Sequence, residues 1–361
     1  EPLMSTNKAP RNALERILRG VLVGANLGTI LLLWMSVLST YLPPDLFPRL
    51  SLAGLAFPVF LVANILFVFL WLIFRARLVW LPLLGMMVVG NFILDYCPMN
   101  GKGQMTDSSL CVLSLNAGGV SSKEERDSFW AYIDKMNPDI VCLQEISPTW
   151  FGTDEAQADM QRIGYKHMGV KGTYVLSRLP MHEADIQFDY KTKGNGSYAC
   201  WVISNQDSLL VISNHLESNR LSSEDKDEYR QIIHNPNRDK VENEGRALAG
   251  KLAGAAQLRG PQVDSLCAVV HQYAGTPILL CGDFNDTPIS YTYQQLSRCL
   301  TSAFRQSGRG MGFSFNQDEF FVHIDHIFFS SHFESTYTFI DREMCISDHY
   351  PIVTYVHLKG R

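Results

Sequence analysis

Three long uncharged stretches occupy most of the first hundred residues of the chain. The first begins at Gly20, the second at Leu50 and the third at Val79, and only short charged segments separate them. A helix that crosses a membrane needs about 20 mainly apolar residues, although about 17 can suffice. A soluble core of buried helices is the alternative, but three such stretches so close together disfavour it. The pattern therefore predicts an N-terminal membrane region, residues 1–98, with three transmembrane helices at about 20–42, 50–74 and 79–96.

Basic residues flank these stretches unevenly. Four precede the first stretch, and Arg75 and Arg77 occupy the turn between the second and the third. The turn between the first and the second carries only Arg49, beside Asp45. Because Lys and Arg are enriched in cytoplasmic loops, the N-terminus is expected in the cytoplasm and the chain after the third stretch outside it. In a bacterium this describes a multi-pass protein of the inner membrane whose C-terminal part is periplasmic.

Beyond residue 98 the pattern changes to short apolar runs separated by polar turns. A polar, glycine-containing linker is predicted at 99–109, followed by one domain at 110–361. Its two clearest helical patterns are Ser122–Met136 and Gly245–Tyr273. This mixture is typical of a layered α/β sandwich. Apolar content and turn signals predict eight strands: Leu110–Leu115, Asp139–Leu143, Thr173–Leu176, Tyr198–Ile203, Leu209–Ser213, Pro277–Cys281, His323–Phe329 and Pro351–His357.

The charge of the predicted domain makes one class of partner less favoured. Residues 101–361 carry 24 Lys and Arg but 32 Asp and Glu. Proteins that bind nucleic acid through its phosphates usually present a basic surface, so nucleic acid is the less favoured partner.

The eight cysteines contain no Cys-x-x-Cys pair. Cys111, Cys142 and Cys281 lie inside strand-like runs, where a free Cys acts as a small buried hydrophobe. Their pairing is left open.

Polar side chains follow many of the predicted strands, at the point where each apolar run ends. The run ILLCGDFND is an example, because it places Asp283 and Asn285 directly after a strand. Each case alone is explained by the preference of Asn and Asp for turns. Their repetition within one domain predicts that they converge at one edge of a sheet. The candidates are Asn116, Glu145, His215, Asp283, Asn285, Asp325, Asp348 and His349.

These residue types suit the hydrolysis of a phosphoric ester with the help of Mg²⁺ or Mn²⁺. Asn116, Glu145 and Asp348 offer the hard oxygen ligands that such an ion prefers. Asp283 is expected to hold and deprotonate a water molecule, while Asn285 donates to the phosphoryl oxygen.

Two histidines complete the expected catalytic group. Asp325 is expected to orient the ring of His349 toward the phosphate. His215 is then available to protonate the leaving group. Arg178, in YVLSRLP, is the candidate substrate-binding residue, with a structural role as its alternative.

The order of the segments LSLN, LQE, NHLES, GDFND, IDHIF and SDHYP resembles the endonuclease/exonuclease/phosphatase superfamily, which includes deoxyribonucleases and sphingomyelinases. The resemblance covers about residues 110–357. It implies a four-layered α/β sandwich, with two packed central β-sheets flanked by helices, and a metal-dependent phosphoesterase. Gly118 departs from the pattern, because several nucleases place a further acidic residue there.

Combined with the membrane region, the resemblance predicts a membrane-anchored bacterial phosphatase or phosphodiesterase with an extracytoplasmic active site. Its expected partners are the lipid bilayer and a lipid-borne or small phosphate ester, and no protein partner is evident. A metal-dependent nuclease acting on DNA or RNA is the alternative, because GDFND and SDH are equally compatible with it. A scaffold with a decayed site is disfavoured, since every expected catalytic position is filled.

Overall fold

The computed structural model describes residues 13–101, 103, 109–118, 120, 122–188, 190, 192, 195–235, 238–317 and 320–359. Part of the predicted linker, residues 102 and 104–108, lies outside the described residues, as do two members of the basic N-terminal flank, Lys8 and Arg11. The boundaries of the linker therefore stay a prediction.

The helices are α1 (Ala13–Leu38), α2 (Pro48–Ser51), α3 (Phe57–Phe74), α4 (Trp80–Val88), α5 (Gly90–Tyr96), α6 (Lys123–Met136), α7 (Asp154–Ile163), α8 (Ser223–His234), α9 (Arg238–Gln272), α10 (Tyr291–Ser297) and α11 (Ala303–Ser307). The strands are β1 (Leu110–Asn116), β2 (Ile140–Gln144), β3 (Lys166–Val170), β4 (Thr173–Ser177), β5 (Met181–Glu183), β6 (Gly196–Ser204), β7 (Asp207–His215), β8 (Ile278–Asp283), β9 (Thr301–Ser302), β10 (Phe315–Gln317), β11 (Phe320–Val322), β12 (Asp325–Phe329), β13 (Phe333–Ile340) and β14 (Ile352–Leu358).

Two helices among the described residues are long and apolar enough to cross a membrane. They run over Glu15–Tyr41 and Pro48–Phe74. The third predicted span is instead a pair of helices, α4 and α5, bent by 68°. The prediction of three transmembrane helices is corrected to two, or three if the bent pair forms a single span. Hydropathy measures the length of an apolar stretch but not its straightness, and Gly90, at the break, is a poor helix former.

Amide side chains join α1 to α3 inside this apolar region. Asn26 and Asn64 are both buried, and Nδ2 of Asn26 donates to Oδ1 of Asn64 at 3.3 Å. Trp71 Nε1 donates to Oδ1 of Asn26 at 2.9 Å. Hydrogen bonds between apolar helices contribute about 0.6 kcal/mol each where lipid surrounds them. They therefore fix the pairing of the two helices.

Beyond this region the described residues form two six-stranded sheets packed face to face and a separate two-stranded hairpin, β10–β11. Their strand orders are β13-β14-β1-β2-β4-β3 and β5-β6-β7-β8-β12-β9. The pairs β1–β2 and β7–β8 are parallel and the other pairs antiparallel. Cys142 and Cys281 lie buried in the layer between the sheets, as expected. Phe129 and Trp130 of α6 cover the outside of the first sheet and Leu266 of α9 that of the second, which confirms the four-layered sandwich.

All eight predicted strands are present, with bounds shifted by a few residues. The sequence did not reveal β3, β5, β9, β10, β11 or β13, nor the helices α7, α10 and α11, whereas the charged segment Asn219–Glu244, which predicts a solvated helix and loop, contains α8. Several of these are short or lie at the edge of a sheet. Strands in such positions are partly exposed, so their sequences lack a clear apolar run.

The segment between α1 and α3, residues 39–56, contains the facing ends of the two long apolar helices and packs directly against the sandwich, and we call it the interhelical turn. Gln257 Nε2 donates to the carbonyl oxygen of Asp45 at 3.3 Å. A Cβ added to Gly54 would lie 1.9 Å from the carbonyl oxygen of Ile289, so the two backbones are in close contact. The guanidinium of Arg298 lies 5.6 Å from the centre of the Tyr41 ring. The interhelical turn therefore connects the sandwich to the N-terminal apolar helices.

Candidate active site

Strand ends from both sheets bring the candidate residues to one edge of the sandwich. Asn116 and His215 are the last residues of β1 and β7, and Asp283 is the last of β8. In the second sheet the ladder pairs His215 with Asp283, and Asp283 with Asp325. Side chains at paired positions of neighbouring strands are close in space. The sheet register alone thus places Asp283 on the middle strand, with His215 on one side and Asp325 on the other.

Asn116 connects the two sheets at this edge. Its Nδ2 donates to Oε1 of Glu145 at 3.0 Å and to Oδ2 of Asp283 at 3.0 Å. Its Oδ1 accepts from the backbone N–H of Gly118 at 3.0 Å. The amide therefore sets the separation of two carboxylates that come from different sheets.

Glu145 has an unusual backbone conformation and a close neighbour. It follows β2 with a φ of 58°, in the left-handed region, and its side chain is 45% exposed. Such strain in a residue other than Gly is concentrated at functional sites. A Cβ added to Gly118 would lie 2.5 Å from Oε2 of Glu145. A side chain at position 118 would therefore require the Glu145 carboxylate to move.

His215 supplies the observation that fits a metal ion. Its buried Nε2 makes no hydrogen bond within the described part of the chain. That atom lies 3.3 Å from Oε1 of Glu145 and 3.9 Å from Oδ2 of Asp283. The ligand atoms of these three residues lie within 4.8 Å of one another, and so do those of Asp283, Asp325 and His349. Oxygen donors with one imidazole suit a hard or borderline divalent cation, so the residues present fit such an ion.

Asp283 is buried and closely held. Its side chain is 1% exposed, and its Oδ1 accepts from the backbone N–H of Asn285 at 2.7 Å. Burial and the nearby carboxylate of Asp325 raise its pKa, while His349, His215 and the hydrogen bond from Asn116 act against that rise. A carboxyl group with a raised pKa is a stronger base when ionised.

Asn285 uses its side chain within the protein. Its Nδ2 donates to the carbonyl oxygen of Leu216 and to Oδ2 of Asp283, each at 3.2 Å. Its φ of 52° also lies in the left-handed region. In this arrangement Asn285 orients the carboxylate of Asp283, and Phe284 between them is buried.

His349 and Asp325 form a buried pair. Nδ1 of His349 donates to Oδ2 of Asp325 at 2.8 Å, which leaves Nε2 at 3.9 Å from Oδ2 of Asp283. Burial alone would lower the pKa of His349, but the carboxylates of Asp325, Asp283 and Asp348 raise it to about 10. The ring is therefore a cationic donor near neutral pH. The ring of Phe315 meets it edge-on at 5.0 Å.

The structure does not bring every predicted residue into the same contact. Asp348 lines the pocket that Glu145 and Asp283 also line, and its Oδ1 accepts from Ser347 Oγ at 3.2 Å, but it belongs to neither close group of ligand atoms. Arg178 lies near the opposite end of β2, where it pairs with Asp139 at 3.2 Å. This geometry does not support Arg178 as a substrate contact.

Asp286 has more contacts than the loop cap that its position in the sequence suggests. Its Oδ1 accepts from the N–H of Thr287 and its Oδ2 from Thr292 Oγ1, at 3.1 and 2.9 Å. In addition, Nε of the buried Arg259 lies 3.4 Å from Oδ2. Arg259 also donates to the carbonyl oxygen of Glu217 at 3.0 Å. The Asp286–Arg259 pair thus fixes the loop behind the catalytic group.

Five of the candidate residues line a pocket of about 540 Å³: Glu145, Asp283, Asn285, Asp348 and His349. Sequence analysis missed the parts of its wall that lie outside the sheet edge, because they reach the site only through tertiary packing and carry no motif. They include Pro44, Ser51, Leu52 and Leu55 of the interhelical turn, Lys226 and Tyr229 of α8, Leu248, Leu252 and Ala256 of α9, and Phe315, Phe320 and Val322 of the β10–β11 hairpin.

Comparisons with known proteins agree with this architecture. Residues 113–349 match the model of the endonuclease/exonuclease/phosphatase family, and residues 19–96 match a domain of unknown function. The structure is similar to D. rerio TDP2 humanized by 14 mutations (16% identity, 70% of this chain, 100% of that chain, TM-score 0.50). It also resembles the human Nocturnin catalytic domain (17% identity, 71% of this chain, 97% of that chain, TM-score 0.49). A third similar structure is an AP endonuclease from Archaeoglobus fulgidus (14% identity, 70% of this chain, 100% of that chain, TM-score 0.46). A sequence search of curated proteins gives no match. At these identities the structural likeness concerns the fold alone.

Proposed function

Because the chain belongs to the endonuclease/exonuclease/phosphatase family and is a hydrolase of phosphoester bonds, we propose that it is membrane-anchored and cleaves a lipid-borne or small phosphate ester on the extracytoplasmic side. The observation that carries the proposal is the contact between the catalytic edge of the sandwich and the interhelical turn, which joins the two helices long enough to span a membrane. The active site of a lipid hydrolase must lie at the membrane surface.

Enzymes of this family depend on a divalent metal, and we propose Mg²⁺ or Mn²⁺ here. Glu145 would hold the ion, with Asn116 beside it and Asp348 at the same pocket. When bound, the ion neutralises charge on the phosphate and on the leaving oxygen. For Asn116 to become a ligand, its amide would have to turn, since its Nδ2 now points at the two carboxylates.

Asp283 is the proposed general base. Asn116 and Asn285 direct three N–H bonds at its carboxylate, which holds the group in one orientation toward the pocket. A water molecule that loses its proton to Asp283 attacks phosphorus. For Asn285 to donate to the phosphoryl oxygen as well, its Nδ2 must exchange one of its two present partners.

The two histidines serve the phosphate and the leaving group. Protonated His349 is oriented by Asp325 through Nδ1, so Nε2 is available to donate to a phosphoryl oxygen as charge develops there. His215 Nε2, which lacks a hydrogen bond in the described residues, is the proposed donor to the leaving oxygen.

Contacts at the two ends of α1 and α3 support the extracytoplasmic position of the sandwich. Arg75, in the turn after α3, pairs with Glu15 near the start of α1 at 3.4 Å, so that turn lies on the N-terminal side. The sandwich instead contacts the interhelical turn, at the other end of both helices. If the N-terminus is cytoplasmic, as the basic flanks predict, the sandwich lies outside, and the bent pair α4–α5 makes the return crossing.

A side-by-side assay tests the substrate class. The purified full-length protein with Mg²⁺ or Mn²⁺ is offered prenyl diphosphate, sphingomyelin, bis-p-nitrophenyl phosphate and plasmid DNA. We expect hydrolysis of a lipid substrate that chelation abolishes. Rapid degradation of the plasmid without lipid turnover would overturn the proposal in favour of a nuclease.

A further inference from the structure

One wall of the active-site pocket comes from the membrane region. Leu52 and Leu55 of the interhelical turn line the same pocket as Leu248 and Leu252 of α9 and Phe320 of the hairpin. The carboxylates of the catalytic edge line it as well. A single cavity thus combines polar groups from the sheet edge with apolar groups from three other elements. Its volume of about 540 Å³ is larger than a phosphate group requires and falls among ordinary ligand pockets of roughly 300–1,000 Å³.

The apolar wall continues onto the surface of α3. Leu55 is exposed, and exposed apolar side chains follow it at steps of four, three, four and three residues: Val59, Val62, Leu66 and Phe69. Residues at this spacing share one face of a helix. An exposed apolar face on a helix long enough to span a membrane is the face that contacts lipid chains. The pocket therefore opens onto a continuous lipid-facing stripe, which begins at Leu55.

We propose that the interhelical turn is a substrate-binding wall: the hydrocarbon chain of a membrane-resident phosphate ester passes from the α3 stripe along Leu52 and Leu55, while its phosphate reaches the carboxylates. This inference rests on the proposed function and specifies how the substrate is selected. The apolar wall lets the methylenes of the chain leave the bilayer without being exposed to water, which would cost free energy, whereas a small soluble ester has no group to place against this wall. The membrane region then determines specificity besides anchoring the enzyme.

Two probes with the same reacting bond test this assignment. Methyl p-nitrophenyl phosphate and hexadecyl p-nitrophenyl phosphate differ only in the length of the alkyl chain. In both, the oxygen of water bonds to phosphorus, the bond from phosphorus to the nitrophenyl oxygen breaks, and p-nitrophenolate is released. Full-length protein in phosphatidylcholine vesicles with Mg²⁺ is assayed on each probe. The readout is kcat/KM for the long ester relative to the short one.

Three variants separate the wall from the rest of the surface. Leu52→Trp fills the apolar part of the pocket, and Leu55→Ala removes part of its wall. Leu258→Ala is the matched control, because Leu258 is 43% exposed, against 42% for Leu55, but does not line the pocket. We expect Leu52→Trp to lower kcat/KM for the hexadecyl ester by about tenfold, the effect of a poor fit in an apolar pocket. Activity on the methyl ester should fall clearly less than activity on the hexadecyl ester, and far-UV circular dichroism shows that the variant is folded. Leu55→Ala should act in the same direction and Leu258→Ala should change neither substrate.

The outcomes separate this inference from the proposed function. If the wild-type protein cleaves the methyl ester but does not favour the hexadecyl ester, the preference for lipid is lost and the inference with it. A second outcome is that the wild-type protein favours the hexadecyl ester, but Leu52→Trp and Leu55→Ala leave that preference unchanged or lower both activities equally. The proposed function then stands, but the wall is not a substrate-binding surface.

Discussion

Asp283 receives hydrogen bonds from two amide side chains and from one backbone N–H. Replacement by Asn keeps the shape of the side chain but removes the proton acceptor. We expect Asp283→Asn to lower kcat on bis-p-nitrophenyl phosphate by a factor on the order of 10²–10⁴, the usual contribution of a general base. The matched control is Asp127→Asn, at an exposed position of α6. Near-full activity of a folded, metal-loaded Asp283→Asn protein would remove Asp283 from the mechanism.

Gly118 offers a test of the metal site that leaves every proposed ligand in place. A Cβ there would lie 2.5 Å from Oε2 of Glu145 and 3.2 Å from Oδ1 of Asn116. Gly118→Ala should therefore displace the carboxylate and weaken Mn²⁺ binding by roughly 10- to 100-fold, as changes around metal ligands do. Titration of Mn²⁺ into the full-length protein measures this. Gly250→Ala, where an added Cβ meets nothing within 4 Å, is the control, and unchanged affinity in Gly118→Ala would exclude Glu145 as a ligand.

The central strands were predictable and the edge elements were not, for a physical reason. Runs such as ILLCGD in β8 are buried along their whole length, so every residue must be apolar or small, and the polar residue that ends the run marks the site. The strand β3, in contrast, has exposed residues at both ends and in its sequence KHMGV shows no apolar run. The sequence therefore predicted that polar side chains meet at this edge of the sandwich, whereas the wall formed by the hairpin and the interhelical turn depends on docking between distant segments.

Gly282 shows how close the central strands approach each other. The sequence suggests that this glycine permits a tight exit from the strand, but the structure places it inside β8, paired with Asn214 of β7. With φ at 151°, an added Cβ would lie 1.9 Å from the carbonyl oxygen of Asn214. Gly282→Ala should force β7 and β8 apart at His215 and Asp283.

The expected cost of this overpacking is about 1–3 kcal/mol. Thermal unfolding of the full-length protein in detergent measures it, and activity should fall together with the melting temperature because the catalytic residues shift. Gly275→Ala, which precedes the same strand and has open space around it, should change neither property. A Gly282→Ala protein as stable as the wild type would mean that the ladder at this point is looser than described.

In the whole molecule, the interhelical turn joins the N-terminal helices to the sandwich. Asp95, at the end of the bent pair, also pairs with Arg305 at 3.1 Å and accepts from Gln294 Nε2 at 3.0 Å. The sandwich is thus held at two points of the membrane region that lie far apart in sequence. Two straight spans alone would return the chain to the N-terminal side, but both contacts lie on the side of the interhelical turn.

This arrangement predicts the membrane topology. If α4 and α5 together complete a third crossing, alkaline phosphatase fused after residue 110 is active in bacteria, and a fluorescent cytoplasmic reporter fused there stays dark. The same two reporters fused after Arg77, in the turn that follows α3, should behave in the opposite way, because Arg75 in that turn pairs with Glu15 at the N-terminal end of α1. Should the fusion at 110 resemble the fusion at 77, the bent pair does not cross. The active site would then face the cytoplasm, where nucleic acid becomes the stronger candidate substrate.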